Sequence, residues 1–355
     1  MDIDSHSEFT EDKLDGFYGK RLRKPTLKQV GILYTLVVIT FLILGSKVQQ
    51  NEFYSGILIT ELAIIALPPI AMMFILKYNV RRVLRLNKIN FLNIFLIFWI
   101  MVFALPVVGI FNFANLMLIK QIFGKLIIQS VPIANNSMGL ILNILVIGGS
   151  AGICEEVLFR GTIQRGFERF GMVKALLITS FLFGLLHVDF QKLLGTFLLG
   201  ALIGFIVYRT NSLFGGMFAH FTNNSLAVLL TYGANKAVEM LKSSGLDQGQ
   251  YNNVGDLPSF SSIPSSQLIA TIIVYGAIFI FCALALAGLI IALIKNTEGK
   301  QEVHVREELK PSLTGLLWTL PGMVFIGFIY FAQGLKMSGI KIEAVDHVLQ
   351  LLGLK

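Results

Sequence analysis

Apolar runs, each near the ~20 residues that a helix needs to cross a bilayer, recur along almost the whole of this 355-residue chain. Only 14% of the residues are charged and the mean hydropathy is +0.73, whereas a soluble domain carries about 25% charged residues. Within lipid, helices and closed barrels alone satisfy their own backbone hydrogen bonds, and runs of this length are helical. The sequence therefore predicts an all-α, polytopic transmembrane helical bundle of about 8–9 spans, with no separate soluble domain.

The formal charge of +8 does not point to nucleic acid, because the basic residues stand in short blocks between apolar runs, as in cytoplasmic loops. The partner that this pattern implies is the lipid bilayer. Lys20, Arg21, Arg23, Lys24 and Lys28 close a polar arm, residues 1–29, directly before the first apolar run. That cluster predicts a cytoplasmic N-terminus and a multi-pass protein of the cell membrane, with no cleavable signal peptide evident. Cys154 and Cys282 lie in apolar segments and match no disulfide or metal-ligand spacing, which makes them packing residues.

Spans are expected from about Val30 to Ser46, Gly56 to Leu76 and Phe91 to Phe111, followed by an amphipathic surface helix over Asn112 to Asn136. These make an N-terminal region, residues 30–136. A core over 137–231 comprises four helices: a span from Ser137 to Phe159, a short helix from Lys174 to His187, a helix ending at Tyr208, and one from Leu213 to Leu230. The basic segment from Arg160 to Lys174 reads as a cytoplasmic connection. Residues 232–267 read as an external loop, and 268–355 as two further spans with an amphipathic tail. Pro68-Pro69 predicts a kink in the second span. Glu61 in the same span is read as snorkelling to the outer surface, with a buried acid lining a cavity as the alternative.

The helix from Lys174 to His187 is about 20 Å long at 1.5 Å per residue, short of a ~30 Å hydrocarbon core. It is expected to stop inside the membrane. The polar turn Asp189-Phe190-Gln191-Lys192 then needs burial in protein or a water-filled cavity, which predicts a wet pocket beside His187.

The fourth span ends in Glu155-Glu156-Val-Leu-Phe-Arg160. Ionisable groups in a membrane segment are a functional-site hypothesis by default. Glu156 and Arg160 stand at the i, i+4 spacing of a favourable pair, which leaves Glu155 facing elsewhere. His187, His220 and Asn224 lie on the helices that follow, the last two one turn apart on the same face. A carboxylate and an imidazole can deprotonate a water; His and Asn donors can stabilise an oxyanion. The same residue types can also hold zinc with an open water position, or serve only as interhelical hydrogen-bonding residues.

Three ordered motifs resemble those of the CPBP intramembrane proteases, also called the CAAX protease or Abi family. Glu155-Glu156-Val-Leu-Phe-Arg160 resembles EExxxR, Phe183-Gly-Leu-Leu-His187 resembles FxxxH, and His220-Phe-Thr-Asn-Asn224 resembles HxxxN. The likeness runs from about Asn143 to Leu230. It implies a membrane-embedded endopeptidase acting on a peptide or membrane-associated protein. Glu155 and His187 would activate water, His220 and Asn224 would stabilise the oxyanion, Arg160 would orient the acid pair, and Glu156 would be secondary. The resemblance implies no required cofactor, with zinc the alternative; Glu155, His187 and His220 would then be its ligands. Bacterial relatives also include bacteriocin-immunity proteins, so a non-proteolytic immunity or scaffold protein of the same fold is the competing expectation. An ion-coupled transporter is a third, disfavoured by the lack of an evident inverted repeat.

Overall fold

In the computed structural model, which describes residues 22–127, 136–244, 264–301 and 313–352, helices joined by short turns account for the fold, and no strand occurs among the described residues. Helix α1 (Leu27–Asn51) starts at a capping box in which Thr26 accepts from the Gln29 backbone N–H and Gln29 accepts from that of Thr26. Glu52 caps α2 (Phe53–Ile75) by accepting from the Ser55 backbone N–H at 2.6 Å, and hydrogen bonding by the Ser55 side chain together with this backbone bond holds its carboxyl below the usual range. Having no N–H to donate, Pro68 and Pro69 sit at the start of Leu67–Ile75, directly after a widened π-helical stretch, Thr60–Ala66. Glu61 in that stretch is 9% exposed, which corrects the snorkelling read from sequence.

Helix α3 (Phe91–Phe123) corrects the expected break at residue 112: the first part of the anticipated surface helix continues the span. The helix ends only at Gly124, whose left-handed φ of 82° closes it by donation to the Lys120 carbonyl. The rest of that stretch, 128–135, lies outside the described residues. Helix α4 (Ser137–Phe170) corrects a second expectation, because it continues through the segment read as a basic connection. Arg160 and Arg165 are buried inside it. Charges can be withdrawn from water where they are paired: Arg160 pairs with Glu156, and at the end of the helix Glu168 lies 2.8 Å from Arg165, 2.8 Å from Arg85 and 2.9 Å from Lys24.

Helices α5 (Met172–Leu186), α6 (Leu193–Thr210), α7 (Leu213–Ser243), α8 (Ser265–Asn296), α9 (Thr314–Met337) and α10 (Glu343–Leu351) complete the described fold. Helix α7 extends to Ser243, into the stretch read as an external loop, of which 245–263 lies outside the described residues. The amphipathic tail helix α10 rests on the bundle through Leu349 and a hydrogen bond from Ser46 to the Leu352 carbonyl.

Among the described residues seven helices, α1 to α4, α6, α8 and α9, are long and apolar enough to cross a membrane. The chain is thus an all-helical, multi-pass membrane protein, with two fewer such spans than the upper expectation. The physical reasons differ. Helix α5 has 15 residues and is too short, whereas α7 has 31 but is diluted by His220, Asn223, Asn224, Lys236 and Glu239.

Helix α4 sits centrally, packed on α2, α5 and α7, while α6 packs on α3, α5 and α7. Close approach of α4 and α7 depends on the Gly148/Gly152 pair. A Cβ at Gly152 would stand 3.0 Å from the Phe221 backbone nitrogen and 3.2 Å from the Met217 carbonyl oxygen. Gly152→Val is therefore expected to separate the helices and destabilise the protein by ~1–3 kcal/mol, read as a lower melting temperature of the purified protein; unaltered melting would contradict this packing.

Candidate active site

Two π-helical stretches, Ile144–Ser150 and Phe159–Ile163, bracket the α-helical segment Ala151–Leu158 that carries the acids. Such widened turns inside helices frequently mark functional sites. The adjacent acids face different surroundings. Glu156 is fully buried, and its Oε1 accepts from Arg160 Nη1 at 2.6 Å and from His220 Nδ1 at 3.0 Å. Glu155 is half-buried, and its Oε2 has no hydrogen-bond partner among the described residues.

Arg160 is 1% exposed and is held from three sides. Besides Glu156 it donates from Nη2 to the Gly200 carbonyl at 2.9 Å, and its guanidinium lies 4.4 Å from the Phe183 ring centre. A Cβ at Gly200 would approach Arg160 Nη2 to 3.3 Å and Phe183 Cδ1 to 3.0 Å. The absence of a side chain there lets α6 close over the arginine. Phe183 is a hub: the rings of His187, Phe159 and His220 meet it edge-on at 4.8, 5.1 and 5.7 Å between centres.

The ring nitrogens follow from their partners. His187 Nδ1 lies 3.0 Å from the Phe183 carbonyl, which accepts only, so Nδ1 carries the hydrogen and Nε2 is left with a lone pair in the neutral ring. Nδ1 of His220 likewise donates to the Glu156 carboxylate, leaving Nε2 directed elsewhere. Asn224 accepts from Asn223 Nδ2 at 3.1 Å and donates to the Ile147 carbonyl in the first π-helical stretch at 3.4 Å.

Glu156, Arg160 and His220 are thus in direct contact, and His187 and His220 share the Phe183 ring. No hydrogen bond joins Glu155 to either imidazole among the described residues. No group of three His, Cys, Asp or Glu side chains comes together as a metal-ligand set among them, so Glu155, His187 and His220 do not form one in this geometry. His187 is exposed, at the rim of the centre and not inside an enclosed pocket.

The polar turn after His187 is buried in protein. Gln191 exchanges two hydrogen bonds with the Ile127 backbone, at 2.8 and 3.0 Å, and its carbonyl accepts from Asn115 at 3.1 Å. Gln333 of α9 donates to the Val188 carbonyl at 2.7 Å and accepts from the Phe190 N–H at 3.5 Å. Val188 has a φ of 53°, a left-handed conformation that is a genuine outlier for a β-branched residue, so the clamp holds a strained backbone beside His187. Sequence reasoning missed this clamp; its signal was an isolated amide in an apolar span. Removing two hydrogen bonds worth about 1 kcal/mol each in Gln333→Leu is expected to speed amide hydrogen exchange at Val188 to Phe190 about thirtyfold. Unchanged exchange there would contradict the clamp.

Comparison of the chain with curated proteins and with solved structures finds no match. The match falls instead on the segment that holds all three motifs: residues 137–226 fit the family described as type II CAAX prenyl endopeptidase Rce1-like, and this part of the chain is a CPBP/Abi family domain of that kind.

Proposed function

We propose that the protein is an intramembrane endopeptidase that hydrolyses a peptide bond in a peptide or membrane-associated protein through water activated by Glu155 and His187. The observation that carries this reading is the division of labour between adjacent acids. Glu156 is fully buried and its Oε1 is held by Arg160 and His220, at 2.6 and 3.0 Å, whereas Glu155 is half-buried and stands outside that ion pair; the Oε2 of each lacks a hydrogen-bond partner among the described residues.

Glu155 takes a proton from water as the water oxygen bonds to the scissile carbonyl carbon, and the carbonyl π pair moves onto oxygen. His187 Nε2 orients the same water. The oxyanion accepts from His220, whose ring Glu156 orients through Nδ1, and from the second hydrogen of Asn224 Nδ2. Collapse breaks the C–N bond, and the proton on Glu155 passes to the leaving nitrogen. Donors fixed before the reaction lower the barrier because they do not reorganise as charge develops. Arg160 acts by holding Glu156, so Glu156 positions His220. Residues 137–231 form the catalytic core, and the N-terminus is cytoplasmic, as the basic clusters favour. No step is routed through a metal.

The test is cleavage of a quenched fluorescent peptide library by the purified protein in nanodiscs, comparing wild type with His187→Ala and adding a zinc chelator. Cleavage lost in the variant and indifferent to chelation is the expected result. Chelator-sensitive cleavage would overturn the metal-free route, and no cleavage by wild type would favour the immunity or scaffold reading.

A further inference from the structure

At one end of the bundle three spans leave an open cleft of about 660 Å³. Helix α1 begins there at Leu27, α4 ends at Phe170 and α9 begins at Thr314, so the cleft lies at the depth where the chain enters and leaves the membrane. Lys28 of α1 and Arg169 of α4 line it, with Trp318 and the apolar Leu27, Leu317 and Pro321. No carboxylate among the described residues does.

The walls of the cleft are fixed. Arg169 donates from Nε to the Gly166 carbonyl at 2.9 Å and from Nη2 to the Pro25 carbonyl at 3.1 Å. Both partners are neutral, so the guanidinium is oriented while its charge stays uncompensated. The neighbouring carboxylate, Glu168, is turned onto Arg165, Arg85 and Lys24 instead. Lys28 Nζ lies 5.2 Å from the centre of the Trp318 ring, and no ion pair joins it to a carboxylate among the described residues. The Trp318 carbonyl accepts from Thr35 of α1 at 2.6 Å. A Cβ at Gly315 would stand 2.7 Å from Leu27 Cβ, and one at Gly31 2.9 Å from Trp318 Cβ, so the two glycines let α9 close against α1.

Two apolar stripes run from the cleft toward the middle of the bilayer. On α1, Ile32 and Leu36 follow Lys28 at i, i+4 spacing and are exposed. On α9, Leu317, Leu320 and Val324 form the second exposed stripe. We infer that the cleft binds the phosphate headgroup of an anionic diacyl phospholipid, whose acyl chains lie along these stripes. The inference concerns binding alone and goes beyond the peptidase reading, on which it does not depend. An arginine fork and a lysine charge match phosphate oxygens, and an indole suits the headgroup level of a membrane. Basic pockets between spans hold anionic headgroups in this way. A zwitterionic lipid brings an ammonium beside the two cations and is disfavoured by repulsion. A free phosphate would meet the cations and leave the apolar stripes uncovered.

The chain has two tryptophans, Trp99 and Trp318, so the full-length Trp99→Phe protein carries its one indole in the cleft. In phosphatidylcholine nanodiscs it is titrated with phosphatidylglycerol brominated on its acyl chains, or with phosphatidylcholine brominated in the same way. Quenching of Trp318 gives the relative affinity of the two lipids. Each basic residue beside an anionic lipid contributes about fivefold. A preference for phosphatidylglycerol of at least about fivefold is expected, falling to near parity when Lys28→Gln and Arg169→Gln are added. Should Arg169→Gln disturb folding, because the guanidinium ties two carbonyls, Lys28→Glu decides alone: Lys28 is exposed, and the reversed charge is expected to abolish the preference. Equal quenching by the two lipids, or a preference that survives Lys28→Glu, would overturn the inference. Loss of the preference on adding millimolar inorganic phosphate at constant ionic strength would mark a soluble-anion site and overturn it too. Trp318→Phe, in which Trp99 reports, is expected to show no preference; an equal preference there would mean general attraction to a basic face, and no site.

Discussion

Glu155→Gln is expected to lower kcat by about a thousandfold, the middle of the range for removal of a general base, while the melting temperature of the purified protein stays at the wild-type value. That fall corresponds to ~4 kcal/mol of barrier. The two effects separate because Glu155 is half-buried and its Oε2 makes no hydrogen bond, so the isosteric amide removes no structural contact. Side-by-side kinetics and thermal denaturation in the same nanodiscs make the measurement. Retained turnover, or activity and stability lost together, would contradict the assignment.

The neighbouring acid is expected to fail in the opposite way. Glu156→Ala leaves Arg160, 1% exposed, without its partner at 2.6 Å and frees His220 Nδ1 as well. Breaking a buried ion pair from one side costs ~3–5 kcal/mol, because the remaining charge stays buried without compensation. Folded protein should be lost, as read by yield and by size-exclusion profile. The double variant Glu156→Leu/Arg160→Leu removes both charges together and is expected to recover most of the folded yield, a strongly non-additive pair, yet to remain inactive because His220 is no longer oriented. A well-folded, active Glu156→Ala would show that the pair carries neither load.

Adjacent glutamates thus differ by where one helical step of about 100° sends each side chain. That much was legible in the sequence, since the i, i+4 spacing joins Arg160 to Glu156. The short α5 and its polar turn were legible too, because 14 or 15 residues cannot span a hydrocarbon core. What could not be read was the second buried charge cluster. Arg165 looks like a loop charge in a linear string, and only the fold brings it together with Glu168, Arg85 and Lys24. The burial of Glu61, on a stretch packed against the Glu155 segment, escaped for the same reason: proximity of α2 to α4 is a tertiary fact that no local period encodes. The Gln333 clamp shows how far outside the family segment the support for His187 extends. Its amide comes from α9, more than a hundred residues along the chain.

The most direct measurement of the central claim is the isotopic composition of the new C-terminus after cleavage in water enriched in oxygen-18. Attack by activated water predicts one heavy oxygen in the newly formed carboxylate of the wild-type product, and no such product from Glu155→Gln. A product lacking the heavy oxygen, or equal product from Glu155→Gln, would contradict hydrolysis by this centre.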